Sequence, residues 1–237
     1  MSPLKNKNPL FFWTSTGKKF LMGVSGLALV GFVVGHLVGN LQMFLGQEAV
    51  NRYAAFLKST GEILWVVRFG LIALAVTHIV TAVSLSLENA AARPVSYAVK
   101  TYKEATYASR TMKASGLIVL AFLGYHLAHY TLMITHPEYH HLIDAQGRHD
   151  VYSMVVLGFS RPWISAWYIL GVFLLGMHLS HGLYSMFQSL GIQTDTLRKR
   201  VRPAAIAIGW LIFLGFASIP AGVLAGLIRL PAGGLIP

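Results

Sequence analysis

Cysteine is absent from the 237 residues, which excludes disulfides, thiolate chemistry and cysteine-ligated clusters within this chain. Charge is scarce too. Asp, Glu, Lys and Arg make up 11% of the residues, less than half of the ~25% usual in soluble domains. Nineteen basic against eight acidic residues leave a formal net charge of +11. The basic residues lie between apolar runs, as membrane topology requires, so the balance does not argue for nucleic acid. What is present in quantity is hydrophobic, 55% of the chain. Long apolar runs imply an all-α integral membrane protein, because lipid offers no water to satisfy an open backbone.

Five runs reach the ~20 residues needed to cross the hydrocarbon core: about 18–45, 63–87, 112–135, 163–190 and 204–228. They predict a single membrane domain over 1–237. The first run, 20–45, greatly exceeds the roughly 7–15 residues of a signal h-region and has no small-residue cleavage site. It is read as a retained first helix. Five spans put the two termini on opposite sides. Thirteen basic residues fall on one side: Lys5, Lys7, Lys18 and Lys19 before the first span, Arg93, Lys100, Lys103, Arg110 and Lys113 between the second and third, and Arg198, Lys199, Arg200 and Arg202 between the fourth and fifth. The other side has six: Arg52, Lys58, Arg68, Arg148, Arg161 and Arg229. The excess of positive charge on the inner side predicts a cytoplasmic N-terminus.

Each of the first four spans carries histidine in its interior: His36, His78, His126 with His129, and His178 with His181. An ionisable group at membrane depth costs several kcal/mol unless it has a partner, so it is a functional hypothesis by default. Neutral imidazole is a good axial ligand for haem iron. Helix bundles build such cofactor sites from facing helices. At ~1.5 Å per residue, His36 lies about 26 Å beyond Lys19 and His126 about 20 Å beyond Lys113. His78 and His178 each lie about 15 Å before the polar residues Glu88 and Gln188. The helices alternate in direction, yet the histidines sort into two levels. His36 pairs with His126 on the outer level, and His78 with His178 on the inner. Two b-type haems stacked along the membrane normal follow. His129 and His181 stand three positions past a presumed ligand and are expected to bond propionates, quinone or backbone, with ligand exchange as the alternative. Arg68, Arg110 and Lys113 sit near helix ends where propionates would emerge, although snorkelling to lipid headgroups accounts for them equally well.

Gly31, Gly35 and Gly39 form a stripe at i+4 spacing on the first helix. It admits two readings, close helix packing or a flat macrocycle lying against bare backbone. The connection 88–111, basic and carrying Tyr97, Tyr102 and Tyr107, reads as a solvated loop with a short interfacial helix that also suits docking. The connection 135–162 holds His136, His140, His141 and His149 with Glu138, Asp144 and Asp150. Their spacing matches no tight metal signature, and an ordered external cap is the expected arrangement. The fifth span begins after Pro203, contains Pro220 and no histidine, and is read as structural.

The stretches GLALVGFVVGHLVGNL, LAVTHIVTAVSL, RTMKASGLIVLAFLGYHLAH and LLGMHLSHGLYSMFQSLG resemble the cytochrome b558 anchors of succinate dehydrogenase. More broadly the chain is similar to the five-helix dihaem anchors of succinate:quinone oxidoreductases and fumarate reductases. The likeness extends to loops such as ARPVSY and DVYSMVVLGF. In that family one histidine on each of the first four helices ligates haem, which falls here on His36, His78, His126 and His178. The resemblance implies two haem b groups and a quinone, menaquinone, as substrate. It also implies a flavoprotein (FAD) subunit that interconverts succinate and fumarate, an iron–sulfur subunit on the cytoplasmic face, a bacterial inner-membrane location and an oligomeric complex. An acidic residue near the outer haem serves quinone proton exchange in the family. Glu62, at the outer start of the second span, is the candidate; an exposed interfacial glutamate is the plainer reading.

Two rival readings stand beside this one. A dihaem cytochrome b of a hydrogenase or formate dehydrogenase would also ligate haem through intramembrane histidines, but with a different distribution over the helices. A proton-coupled transporter would use the histidines as a relay. However, the spans lack inverted repeats, and the acidic residues sit at ends and in loops.

Overall fold

In a computed structural model, which describes residues 11–92, 110–192 and 194–231, the chain is helical, with one isolated β-bridge (Ile143 with His149) among the described residues. In chain order the α-helices are α1 (Ser15–Leu41), α2 (Gln47–Ser59), α3 (Glu62–Ala91), α4 (Met112–His126), α5 (Val151–Phe159), α6 (Pro162–Ser189) and α7 (Asp195–Leu224). Among the described residues, four segments are long and apolar enough to cross a membrane: Ser15–Leu45, which is α1 with a following 3₁₀ turn, and α3, α6 and α7. Their outward faces carry Val24, Leu27, Val34, Val66, Val76, Val80 and Leu211, all exposed, as hydrocarbon contact requires. Trp13, Trp65 and Trp163 stand exposed near helix starts, where interfacial aromatics belong. The chain is an integral membrane protein.

The helix starts follow from capping. The Thr14 side chain accepts from the Gly17 amide at 3.0 Å, Asp150 from Ser153 at 3.0 Å and Thr194 from Leu197 at 3.2 Å. The last cap revises an expectation: α7 begins at Asp195, not after Pro203, and Pro203 lies inside the helix. Basic residues 198–202 are therefore its solvated first turns. The third apolar run is shorter than the expected 112–135. The α-helix stops at His126 and continues as a π-helical turn, Leu127–Thr131, in which the Leu132 amide donates to the Leu127 carbonyl at 2.7 Å. The chain then turns away through Met133, a non-glycine residue at φ 51°.

Helix α1 packs on α3, α6 and α7; α4 packs on α6; and α6 and α7 form the most extensive contact. There the backbones nearly touch. A Cβ on Gly176 would stand 2.7 Å from the Gly209 carbonyl oxygen, and one on Gly209 would collide with Ser180 and the Gly176 carbonyl. Without a hydrophobic drive between helices in lipid, such close approach is what holds them. At one end of the bundle Lys18 pairs with Glu88 and donates to Ser84 at 2.8 Å, tying α1 to α3.

At the opposite end sits a cap that the hydropathy pattern did not resolve. It is made of α2, a 3₁₀ turn at Pro137–His141, the turn around Gly147 and α5. Asn51, fully buried, organises it. Its amide donates to Asp144 at 3.1 Å and Asp150 at 2.9 Å, and its carbonyl accepts from the Tyr152 amide at 3.0 Å. Gln47 donates to Asp150 at 2.8 Å, and Arg148 bridges Asp144 at 2.8 Å and Glu48 at 2.6 Å. Burial opposes ionisation of Asp144, but the Arg148 amide and guanidinium and the Asn51 amide outweigh it and hold its pKa below the usual 3.8. These carboxylates are saturated by protein donors. The ordered cap expected of this connection is what forms. The densest apolar core lies beneath it, with Met43, Val50, Tyr152, Val156, Phe159, Ile164, Tyr168, Ile219, Val223 and Ile228 packed together.

The basic and tyrosine-bearing connection, with Arg93, Lys100, Lys103, Tyr97, Tyr102 and Tyr107 and its expected interfacial helix, lies outside the described residues, as do Lys5 and Lys7.

Candidate functional site

Four helices each aim one imidazole inward, and the rings meet in two pairs. His36 of α1 faces His126 of α4 with ring centres 5.8 Å apart and planes at 78°. His78 of α3 faces His178 of α6 at 6.4 Å and 69°. The first pair is nearer the cap, the second nearer the Lys18–Glu88 end. A metal ion held between two imidazoles, about 2 Å from a nitrogen of each, sets ring centres about 6 Å apart. Both pairs fit that spacing.

The surroundings fit as well. The Nδ1 of His78 lies 3.1 Å from the Met22 carbonyl and 3.4 Å from the Ser25 hydroxyl. A carbonyl at one ring nitrogen fixes the tautomer and leaves the other nitrogen for a metal. His36 is stacked on Phe32 at 5.3 Å and flanked by Phe216 at 5.9 Å. On the glycine stripe, a Cβ at Gly31 or Gly35 would meet nothing within 4 Å. The stripe therefore does not pack helix on helix at these two positions, both of which are exposed. Gly39 does pack, with Tyr53 2.8 Å from the Cβ it lacks. Gly26 and Gly116 each stand against one imidazole of the second pair, 3.1 Å from His78 and 3.5 Å from His178 by the same measure.

The remaining candidates fall elsewhere. His129 is fully buried in the π-turn, and its Nδ1 lies 3.0 Å from the Tyr168 hydroxyl. It stacks on Tyr130 at 3.9 Å and sits 4.9 Å from His136. This partner is a side-chain hydroxyl, which the sequence reading had not anticipated. His181 is partly buried, one turn beyond His178. Arg68 is exposed and its guanidinium lies 4.9 Å over the Trp65 ring. Arg110 and Lys113 are exposed at the start of α4, at the end of the bundle away from the cap. Glu62 is exposed as the first residue of α3, where the helix dipole favours a carboxylate. The sequence reading missed Tyr168 altogether. The only signal available was its place on a helical run ten residues before His178.

Fold and site together define a helical membrane protein that pairs imidazoles at two levels between its helices. The family model for the succinate dehydrogenase/fumarate reductase transmembrane subunit matches residues 89–219, and the chain belongs to that family of membrane anchors. The match takes in α4 to α7 and so His126 and His178, whose partners His36 and His78 come from helices outside it. No curated protein and no solved structure matches the chain.

Proposed function

We propose that this chain is the dihaem, quinone-reacting anchor of a succinate:quinone oxidoreductase. Five membrane-crossing segments, α4 with its π-turn being the third, surround two b-type haems. His36 and His126 hold one, His78 and His178 the other. The observation that carries this reading is the meeting of four imidazoles from four helices at two ring separations that both suit a metal between them. Bound there, the haems would supply one-electron transfer between the partner subunits and the membrane quinone.

The chain's own residues hold and orient. The Met22 carbonyl fixes the His78 ring, Phe32 and Phe216 shield His36, and the cap with its core excludes water from the first pair. The family implies a flavoprotein and an iron–sulfur subunit. The end of the bundle bearing Arg110, Lys113 and residues 198–202 is the cytoplasmic face that receives them, in a bacterial inner membrane. The cap then faces outward. Glu62, at the cap end of α3, exchanges the proton that accompanies menaquinone turnover. Glu62→Gln should slow quinone turnover while both haems remain; unchanged turnover removes it from the mechanism.

The whole reading is tested by redox titration of the purified complex with optical detection. Two b-type components reducible by succinate or a menaquinol analogue are expected. A colourless complex, or His178→Leu retaining both components, overturns it.

A further inference from the structure

We propose that Tyr168 is a positioning residue for the cap-side imidazole pair, its single hydroxyl fixing the tautomers of both His126 and its neighbour His129. The inference rests on the haem reading above.

Tyr168 is 5% exposed, and its hydroxyl lies 3.0 Å from the His129 Nδ1 and 3.5 Å from the His126 Nδ1. The ring cannot swing away. Phe159 meets it edge-on at 5.0 Å, Phe122 at 5.2 Å and Tyr130 at 5.6 Å. A phenol has one proton to donate, and its oxygen can accept another. An imidazole that gives Nε2 to a metal keeps its proton on Nδ1. His126 in that role donates to the Tyr168 oxygen, and the Tyr168 proton is left for the His129 Nδ1. The proton of His129 then sits on Nε2, which is buried and has no hydrogen-bond partner.

One hydroxyl thus gives two histidines, three residues apart on one helix, opposite tautomers. The π-turn contributes to the separation. It begins immediately after His126 and contains His129. Its wider winding turns His129 further from His126 than an α-helical neighbour would be. His126 points at His36, 5.8 Å away; His129 points into a buried aromatic cluster with Tyr130, His136 and Tyr139.

A ligand imidazole that donates from Nδ1 is more basic, which favours ferric iron. The test is Tyr168→Phe in the intact complex, read by potentiometric titration and low-temperature electron paramagnetic resonance. Both haems should remain. One should shift to higher potential with altered g-values, and the other should keep its wild-type values. His129→Asn, which replaces the acceptor of the Tyr168 proton, should perturb the same haem. Tyr125→Phe, whose ring packs on both His129 and Tyr168, should perturb neither. Wild-type potentials and g-values in both Tyr168→Phe and His129→Asn overturn the proposal alone, whereas a wild-type complex lacking two b-type haems overturns the haem reading beneath it.

Discussion

The two imidazole pairs are built from the same residue type, yet their supports differ. The pair near the cap sits under a dense core, against a tyrosine hydroxyl, behind a cap whose buried carboxylates Asp144 and Asp150 are held by protein donors. In the other pair His78 leans chiefly on main chain, the Met22 carbonyl at 3.1 Å with the Ser25 hydroxyl farther off at 3.4 Å, while the His178 Nδ1 is buried with no hydrogen-bond partner among the described residues. A carbonyl support is supplied whatever side chain residue 22 carries, so substitution scarcely reaches it. A hydroxyl support is lost in a single change. One site is set by the path of helix α1, the other by the identity of one side chain on α6.

The sharpest way to break this comparison is to remove one imidazole from each pair. His36→Leu should abolish one b-type component and His78→Leu the other, in reduced-minus-oxidised spectra of the purified complex. If either substitution removed both components equally, the two sites would not be independent. Next in size is the cap. Asn51→Ala strips partners from two buried carboxylates and a buried amide. Its cost should be on the order of 3 kcal/mol, seen as a lower unfolding temperature with spectral change in the cap-side haem first. The helix seam comes next. Gly209→Val drives a side chain into Ser180 and the Gly176 carbonyl, two residues either side of His178 on α6, and should cost about 1–3 kcal/mol with its spectral change in the His78–His178 component first.

The smallest effect expected is with pH. Burial lowers the pKa of both His136 and His149 below the usual 6.5, and the Arg161 cation adds to this at His136. The folded cap then binds fewer protons than the unfolded chain between the folded values and 6.5. Stability from these two residues is whole above pH 6.5 and falls as the pH drops toward the folded values. Asp144 follows at lower pH, its contribution intact above 3.8 and lost only as the pH falls through its depressed value. Limited proteolysis should therefore open residues 135–160 earlier at about pH 5 than at about pH 7.5, with the Lys18–Glu88 end unaffected over the same interval.

Much of this architecture is legible from residue order. Counting from polar or charged helix ends puts His36 level with His126 and His78 level with His178, because a helix converts sequence distance into height at a fixed rise. Those are the rings that meet. The glycine stripe left two readings open, and packing is met at Gly39 but not at Gly31 or Gly35. The junction that organises the cap eluded sequence because its logic is not periodic. Asn51 meets Asp144 and Asp150 across more than ninety residues, and no spacing rule announces such a junction. Short helices α2 and α5 were lost for the same reason, each leaning on partners remote in the chain. The early end of the third run is local, but a π-turn changes hydrogen-bond register without changing composition. Residues 195–203 read as a charged loop because Pro203 is a breaker inside many helices. Thr194 caps the segment regardless.

Helix α6 carries Tyr168 and His178 on one unbroken rod, about 15 Å apart along its axis at the α-helical rise. Any sliding of that rod against α7 would carry Tyr168 and His178 along together. A lipid, detergent or docked subunit that shoves α6 would consequently reach both imidazole pairs at once, without touching either one.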